Sequence, residues 1–106
     1  MFFERPVFKM YVKTGCPFCE KAREIILKDL KSSLHLIDVT DQPDLRQSVI
    51  EETGCKTVPV IFLGKSFIGG CDDLIGLCQS GDVENLILTE ENRILREEVA
   101  LLRRSI

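Results

Sequence analysis

An α/β fold is predicted for this chain: a four-stranded mixed sheet with helices on both faces, in the order β α β α β β α, followed by a C-terminal helix. Three observations predict it. Short apolar runs alternate with longer segments of helical periodicity; two cysteines sit three apart where the first run meets the first helical segment; and Gly64 and Lys65 join two apolar runs as a tight turn. With 106 residues and 44% hydrophobic content, the chain is long enough for one domain with its own core, assigned to residues 1–82. Residues 83–106 are assigned to a helical extension.

The first strand is read from Val7 to Val12, bounded by Pro6 and by the turn Lys13, Thr14, Gly15. From Pro17 to Lys31 the residues Ala22, Ile25, Ile26 and Leu30 share one helical face, opposite Glu20, Arg23, Glu24 and Lys28. Leu34 to Val39 returns to strand character, which makes a βαβ unit with parallel strands. Its His35 is expected at solvent or at a polar edge. Asp41 to Asp44 reads as a turn and cap before a short helix with Leu45, Val49 and Ile50 inward, stopped by Gly54. Val58 to Leu63 and Ser66 to Ile68 form an antiparallel hairpin. After Gly69 and Gly70, Asp72 and Asp73 open a third helix that ends near Gly81.

The pair Cys16 and Cys19 carries the chemistry. Residues three apart on a first helical turn face the same way, so their sulfurs can close a small disulfide ring. Pro17 suits the first helical turn, where its missing N–H costs nothing. At the helix start the Cys16 sulfur lies near unpaired N–H groups and the positive end of the helix dipole, which favour thiolate over thiol. Cys19, one turn inside, is more shielded. Cys16 is therefore expected to attack and Cys19 to resolve. A zinc site would need a second close pair of ligands, but Cys71 and Cys78 are seven apart, Cys55 is alone and His35 is the sole histidine. No metal ligand is assigned.

Bulk properties narrow the function classes. A net charge of −3 with scattered basic residues offers no footprint for nucleic acid or an anionic membrane. Met1 to Met10, with Glu4, Arg5 and Pro6, reads as neither a signal peptide nor a membrane span. Five cysteines are an odd count that suits a reducing compartment, so a cytoplasmic location is expected.

Three loops are expected to converge at one end of the sheet. Thr57, Val58 and Pro59 precede the third strand; Pro59 is either a cis residue that turns the Val58 backbone toward the cysteines or a simple strand-start proline. An extended peptide could pair with a free Val58 backbone as an added strand. Gly69, Gly70, Cys71, Asp72 and Asp73 allow close backbone approach and offer helix-start N–H groups to a carboxylate, with the acids available to an amino group; an ordinary capped helix is the alternative. Lys13, three before Cys16, is placed to favour the thiolate or hold a carboxylate, unless it is a plain surface lysine.

Together Lys13, Cys16-Pro17-Phe18-Cys19, Thr57-Val58-Pro59 and Gly69-Gly70-Cys71-Asp72-Asp73, in this order, make residues 7 to about 88 resemble a dithiol glutaredoxin. The resemblance implies a thioredoxin fold, a cis bond before Pro59 and glutathione as co-substrate with no bound cofactor. It puts Lys13 toward the glycine carboxylate, the Val58 backbone toward the cysteinyl unit, and Cys71, Asp72 and Asp73 toward the γ-glutamyl end; Phe18, Thr57, Pro59 and Gly70 complete the site. Disulfide-containing or glutathionylated proteins, ribonucleotide reductase among them, are the implied partners. Phe18 and Gly15 stand where the family often has Tyr and Thr, so altered ligand affinity with retained chemistry is expected. Cys55 is read as a near-surface cysteine or a second glutathionylation site. An iron–sulfur carrier, a redoxin served by thioredoxin reductase and a non-enzymatic adaptor are the competing readings, and Pro17 weighs against the carrier.

The extension has its own pattern. Leu88, Leu95 and Leu102 repeat every seven residues; as heptad position d they place Asn85, Asn92, Val99 and Ile106 at a. Glu91 and Glu98 then pair across a parallel homodimer with Arg96 and Arg103. Ile87, Ile94 and Leu101 form a second stripe, which could instead lie on the domain itself. A parallel homodimer through residues 85–106 and self-docking are the two outcomes to separate.

Overall fold

A computed structural model describes the backbone of residues 6–104 and the side chains of residues 6–100. Residues 1–5, which hold part of the N-terminal segment, and residues 105–106 lie outside the described residues. The strands are β1 (Phe8–Val12), β2 (Leu34–Asp38), β3 (Val60–Leu63) and β4 (Ser66–Gly69). They form one sheet in the order β2-β1-β3-β4. β1 pairs parallel with β2 and antiparallel with β3, from Phe8↔Leu63 to Tyr11↔Val60. This is the predicted mixed sheet.

The helices are α1 (Pro17–Glu24, continued by a π-helical turn over Ile25–Asp29), α2 (Pro43–Thr53), α3 (Cys71–Ser80) and α4 (Asp82–Arg104). Alternation along the central strands sorts the core onto two faces. Phe8, Met10, Ile61 and Leu63 meet Ala22, Ile26, Leu74 and Val83, from α1, α3 and α4. On the other face Tyr11, Val60 and Phe62 meet Val49 of α2 and Val39. β3 is buried at every residue because both its faces are covered. β2, at the sheet edge, leaves His35 exposed as expected.

Local signals set most boundaries. Pro43 opens α2, and left-handed Gly54 and Gly81 close α2 and α3. The first helix departs from a regular run to Lys31: Leu30 N–H bonds Ile25 O over 2.9 Å, five residues back, and Lys31 takes φ +48°. Within this turn Ile26 stays buried, with Ile25 and Leu30 packed against the same core. β3 starts at Val60, two residues later than expected, since Pro59 has no N–H for the ladder.

α4 starts at Asp82, beside the boundary drawn between residues 82 and 83, and docks at once on the domain. Val83 is in the core, Leu86 and Ile87 pack against it, and Glu90 is only 3% exposed. Glu90 accepts hydrogen bonds from the Ser66 hydroxyl of β4 and from Arg93 Nε, the latter over 2.8 Å. Burial pushes the Glu90 carboxyl up, but its bonds to Ser66, Arg93 and the Lys65 amide outweigh this and hold it below the ordinary carboxylate range. The first turns of α4 belong to the domain.

Candidate active site

Strand β1 ends at Val12, and the loop that follows delivers Cys16 as the N-cap of α1. The Cys19 backbone N–H donates to Cys16 Sγ over 3.2 Å, so one of the helix's unpaired N–H groups points at the sulfur. Cys16 Sγ also lies 3.9 Å from the Val58 carbonyl oxygen, to which its thiol can donate. Cys19 is 4% exposed. Burial pushes its thiol up to about 12, aided by the hydrogen bond and charge of Cys16 and opposed by a backbone hydrogen bond from Lys13. One sulfur of the pair is presented and the other is held back.

The peptide bond between Val58 and Pro59 is cis. Beside it, Gly70 is close enough that an added Cβ would stand 3.7 Å from Pro59 O, an ordinary contact that does not itself demand glycine. Gly69 is the position that does: its φ is +125°, and a Cβ there would collide with the Asp73 carboxylate. That carboxylate accepts the Gly70 N–H over 3.0 Å and so caps α3. Asp73 is thus engaged as a cap through one carboxylate oxygen, the capped-helix alternative of the sequence reading. Asp72 remains exposed beside it.

These loops form a cleft of about 490 Å³ lined by Phe18, Cys55, Thr57, Val58, Pro59, Gly70, Cys71, Asp72 and Asp73. Cys16 meets this cleft through Val58. Phe18 is 59% exposed and offers an apolar wall to solvent. Cys71 is buried beneath it; burial raises its thiol, Asp72 and Cys16 add to the rise, and the Lys21 charge opposes it. Eight of the nine ligand-contact candidates line the cleft. Lys13, half-buried on the loop before Cys16, is not among the lining residues.

Two braces and one nearby charge escaped the sequence reading. Thr14 N–H donates to Thr40 Oγ1 over 2.9 Å, and Asp38 accepts the Thr40 amide and hydroxyl over 2.8 and 2.6 Å and the Thr14 hydroxyl over 3.2 Å. These bonds hold the Asp38 carboxyl below its ordinary value and tie the cysteine loop to the end of β2. Arg46 Nη2 of α2 donates to the Lys56 carbonyl over 3.0 Å, fastening the chain just ahead of Thr57. Lys21 supplies a cation from α1 near Cys71. Only Asp38 and Thr40 had a short-range signal, an Asp-x-Thr at a strand end.

A sheet in this order, a two-cysteine helix cap and a cis-proline loop facing it define a thioredoxin-fold dithiol site for thiol–disulfide exchange. Residues 8–68 match the glutaredoxin family model. The human protein glutaredoxin-1 is 37% identical over 79 residues, covering 70% of this chain and 74% of its own. Among solved structures, glutaredoxin from Brucella melitensis is 34% identical with a TM-score of 0.68, covering 78% of this chain and 89% of its own. A buckwheat glutaredoxin–glutathione complex is 25% identical with a TM-score of 0.70, covering 82% and 80%. The chain belongs to the glutaredoxin family.

Proposed function

We infer that this chain is a glutathione-dependent thiol–disulfide oxidoreductase, reducing glutathione mixed disulfides and protein disulfides. The observation that carries the reading is the cleft, which gathers an apolar wall, a free backbone edge and a helix start beside the Cys16 sulfur. The likeness to a glutaredoxin bound to glutathione supports the ligand.

Cys16, as thiolate, attacks the glutathione sulfur of a mixed disulfide; the S–S bond breaks, the substrate leaves as thiolate and takes a proton from solvent. A second glutathione thiolate then attacks the Cys16-bound sulfur, releasing glutathione disulfide and restoring Cys16. With a protein disulfide, Cys16 instead becomes linked to the substrate. Cys19 then gives up its proton and attacks Cys16, the substrate leaves as thiolate and takes up a proton, and the ring closes; two glutathione molecules reopen it and leave as glutathione disulfide. Two of the influences that keep Cys19 protonated come from the Cys16 sulfur, and linkage of that sulfur to substrate removes its charge.

In this reading Val58 pairs through its backbone with the cysteinyl unit, Thr57 and Pro59 hold that edge, and Phe18 covers the apolar part. The helix-start N–H groups of Cys71 and Asp72 receive the γ-glutamyl carboxylate and the Asp72 side chain its amino group, with Asp73 acting through its cap on the Gly70 N–H. Lys13 reaches the glycine carboxylate from outside the described cleft. Glutathionylated proteins and disulfide enzymes such as ribonucleotide reductase are the substrates, in a reducing cytoplasm suited to five free cysteines.

Turnover of a small glutathione mixed disulfide with reduced glutathione as sole electron donor, coupled to glutathione reductase, tests the reading. Turnover is expected. Activity with thioredoxin reductase alone would replace it with the redoxin reading.

A further inference from the structure

Helix α4 carries two stripes, and the fold uses only one. Val83, Leu86, Ile87, Glu90 and Arg93 face the domain, and Glu97 bonds Arg93 Nη1 over 2.8 Å and Lys65 over 3.6 Å. On the heptad that places Leu88 at d, these residues occupy b, c and f. Positions a and d lie roughly 180° away around the helix. There Asn85, Leu88, Asn92 and Val99 are exposed, Leu88 by 56% and Val99 by 45%, and Leu95 is half-exposed. Self-docking therefore leaves the seam free.

We propose that this outward stripe of α4 is the contact face of a parallel homodimer. Charge complementarity selects a second copy: Glu91 at g meets Arg96 at e of the other chain, and neither has an ion partner in its own chain among the described residues. The continuation through Glu98, Arg103 and Leu102 follows from the sequence, since the side chains beyond residue 100 lie outside the described residues. Asn92 sets the direction. In a parallel pair it faces its own copy and the two amides satisfy each other; opposite a leucine, the amide would be buried without a partner.

The location keeps the redox site free. Cys16 and Val58 sit at the end of the sheet where Tyr11 pairs with Val60. Ser66 and Lys65, which anchor α4, follow the opposite end, where Phe8 pairs with Leu63. Dimerisation through this stripe occupies neither cleft.

Sedimentation equilibrium of the full chain over about 1 to 300 μM is expected to show a reversible equilibrium above the 12.0 kDa monomer. Leu88→Glu, on an exposed side chain, is expected to weaken association about tenfold or more with turnover unchanged. Glu91→Arg and Arg96→Glu each weaken it, and the double reversal restores it. Cys16→Ser leaves it intact. A monomer at every concentration, a Leu88→Glu dimer as strong as wild type, or loss of the dimer in Cys16→Ser would overturn the proposal. So would tighter association in Glu91→Arg, the antiparallel signature, or a double reversal that fails to rescue.

Discussion

The Cys19 amide reaches the Cys16 sulfur over 3.2 Å while the Cys19 sulfur stays buried below it. In the proposed mechanism, backbone and side chain of one residue thus act in different steps: the first orients the attacking sulfur, the second closes the ring afterwards. Replacing the side chain of Cys19 leaves the amide in place.

Cys16→Ser is expected to abolish both activities. Cys19→Ser is expected to keep deglutathionylation and to lose reduction of protein disulfides. Parallel assays with a small mixed disulfide and a disulfide protein check this, and an equal loss in both would overturn the division of roles.

The same burial sets an alkaline limit. Folded Cys19 holds its proton up to about 12, against 9.0 for an ordinary thiol, so its contribution to stability is complete below pH 9.0 and is lost as pH climbs toward about 12. The urea midpoint should fall between about pH 8 and about pH 10.5, more steeply for wild type than for Cys19→Ser. Parallel declines would remove Cys19 as the cause.

Asp38→Asn should loosen the cysteine loop without disturbing the core. The carboxylate gathers bonds from Thr14 and Thr40, and its depressed titration means that this support is present at neutral pH and fades as acid protonates it. Hydrogen exchange at the Thr14 amide should accelerate in Asp38→Asn while Met10 stays protected. An unchanged Thr14 rate would show that the loop holds without this brace.

Glu90→Ala should cost about 2 to 3 kcal/mol, because Ser66 and Arg93 both lose a buried acceptor. Denaturant unfolding measures it; a change below about 0.5 kcal/mol would mean that the Glu90 cluster does not anchor α4.

Gly69→Ala should cost about 1 to 3 kcal/mol by forcing a side chain into a positive φ and against the Asp73 cap. It should also raise KM for glutathione by disturbing the start of α3. A rise in KM without loss of stability would instead indicate direct steric interference in the cleft.

What was legible in the sequence was what is decided locally. Pro43, Gly54 and Gly81 mark helix ends through their own backbone preferences, and the apolar runs from Val7 to Val12 and from Val58 to Leu63 read directly as strands. The loops at Cys16, Thr57 and Gly69 were legible as separate signals, and the fold brings them to one cleft. Interactions between distant segments were not. Arg46 bonding Lys56, Thr14 bonding Thr40, and Glu90 bonding Ser66 are polar contacts whose partners share no spacing rule. The π turn at Leu30 was hidden for a related reason: the composition of residues 25–30 suits a regular helix, and the register changes where the segment meets the core. The two stripes of α4 were both visible, but which one faced inward depended on Val83 and Glu90, which lie outside the leucine repeat.

Crowding several thiols around an exchange centre invites scrambling, in which the wrong sulfur captures an intermediate and the catalyst locks itself. Cys71 lies under the cleft and Cys78 is partly buried behind it, and burial raises both thiols so that neither competes as a nucleophile at neutral pH. The hydrophobic interior therefore serves as a chemical insulator for these two sulfurs, withdrawing them from any exchange that runs beside them.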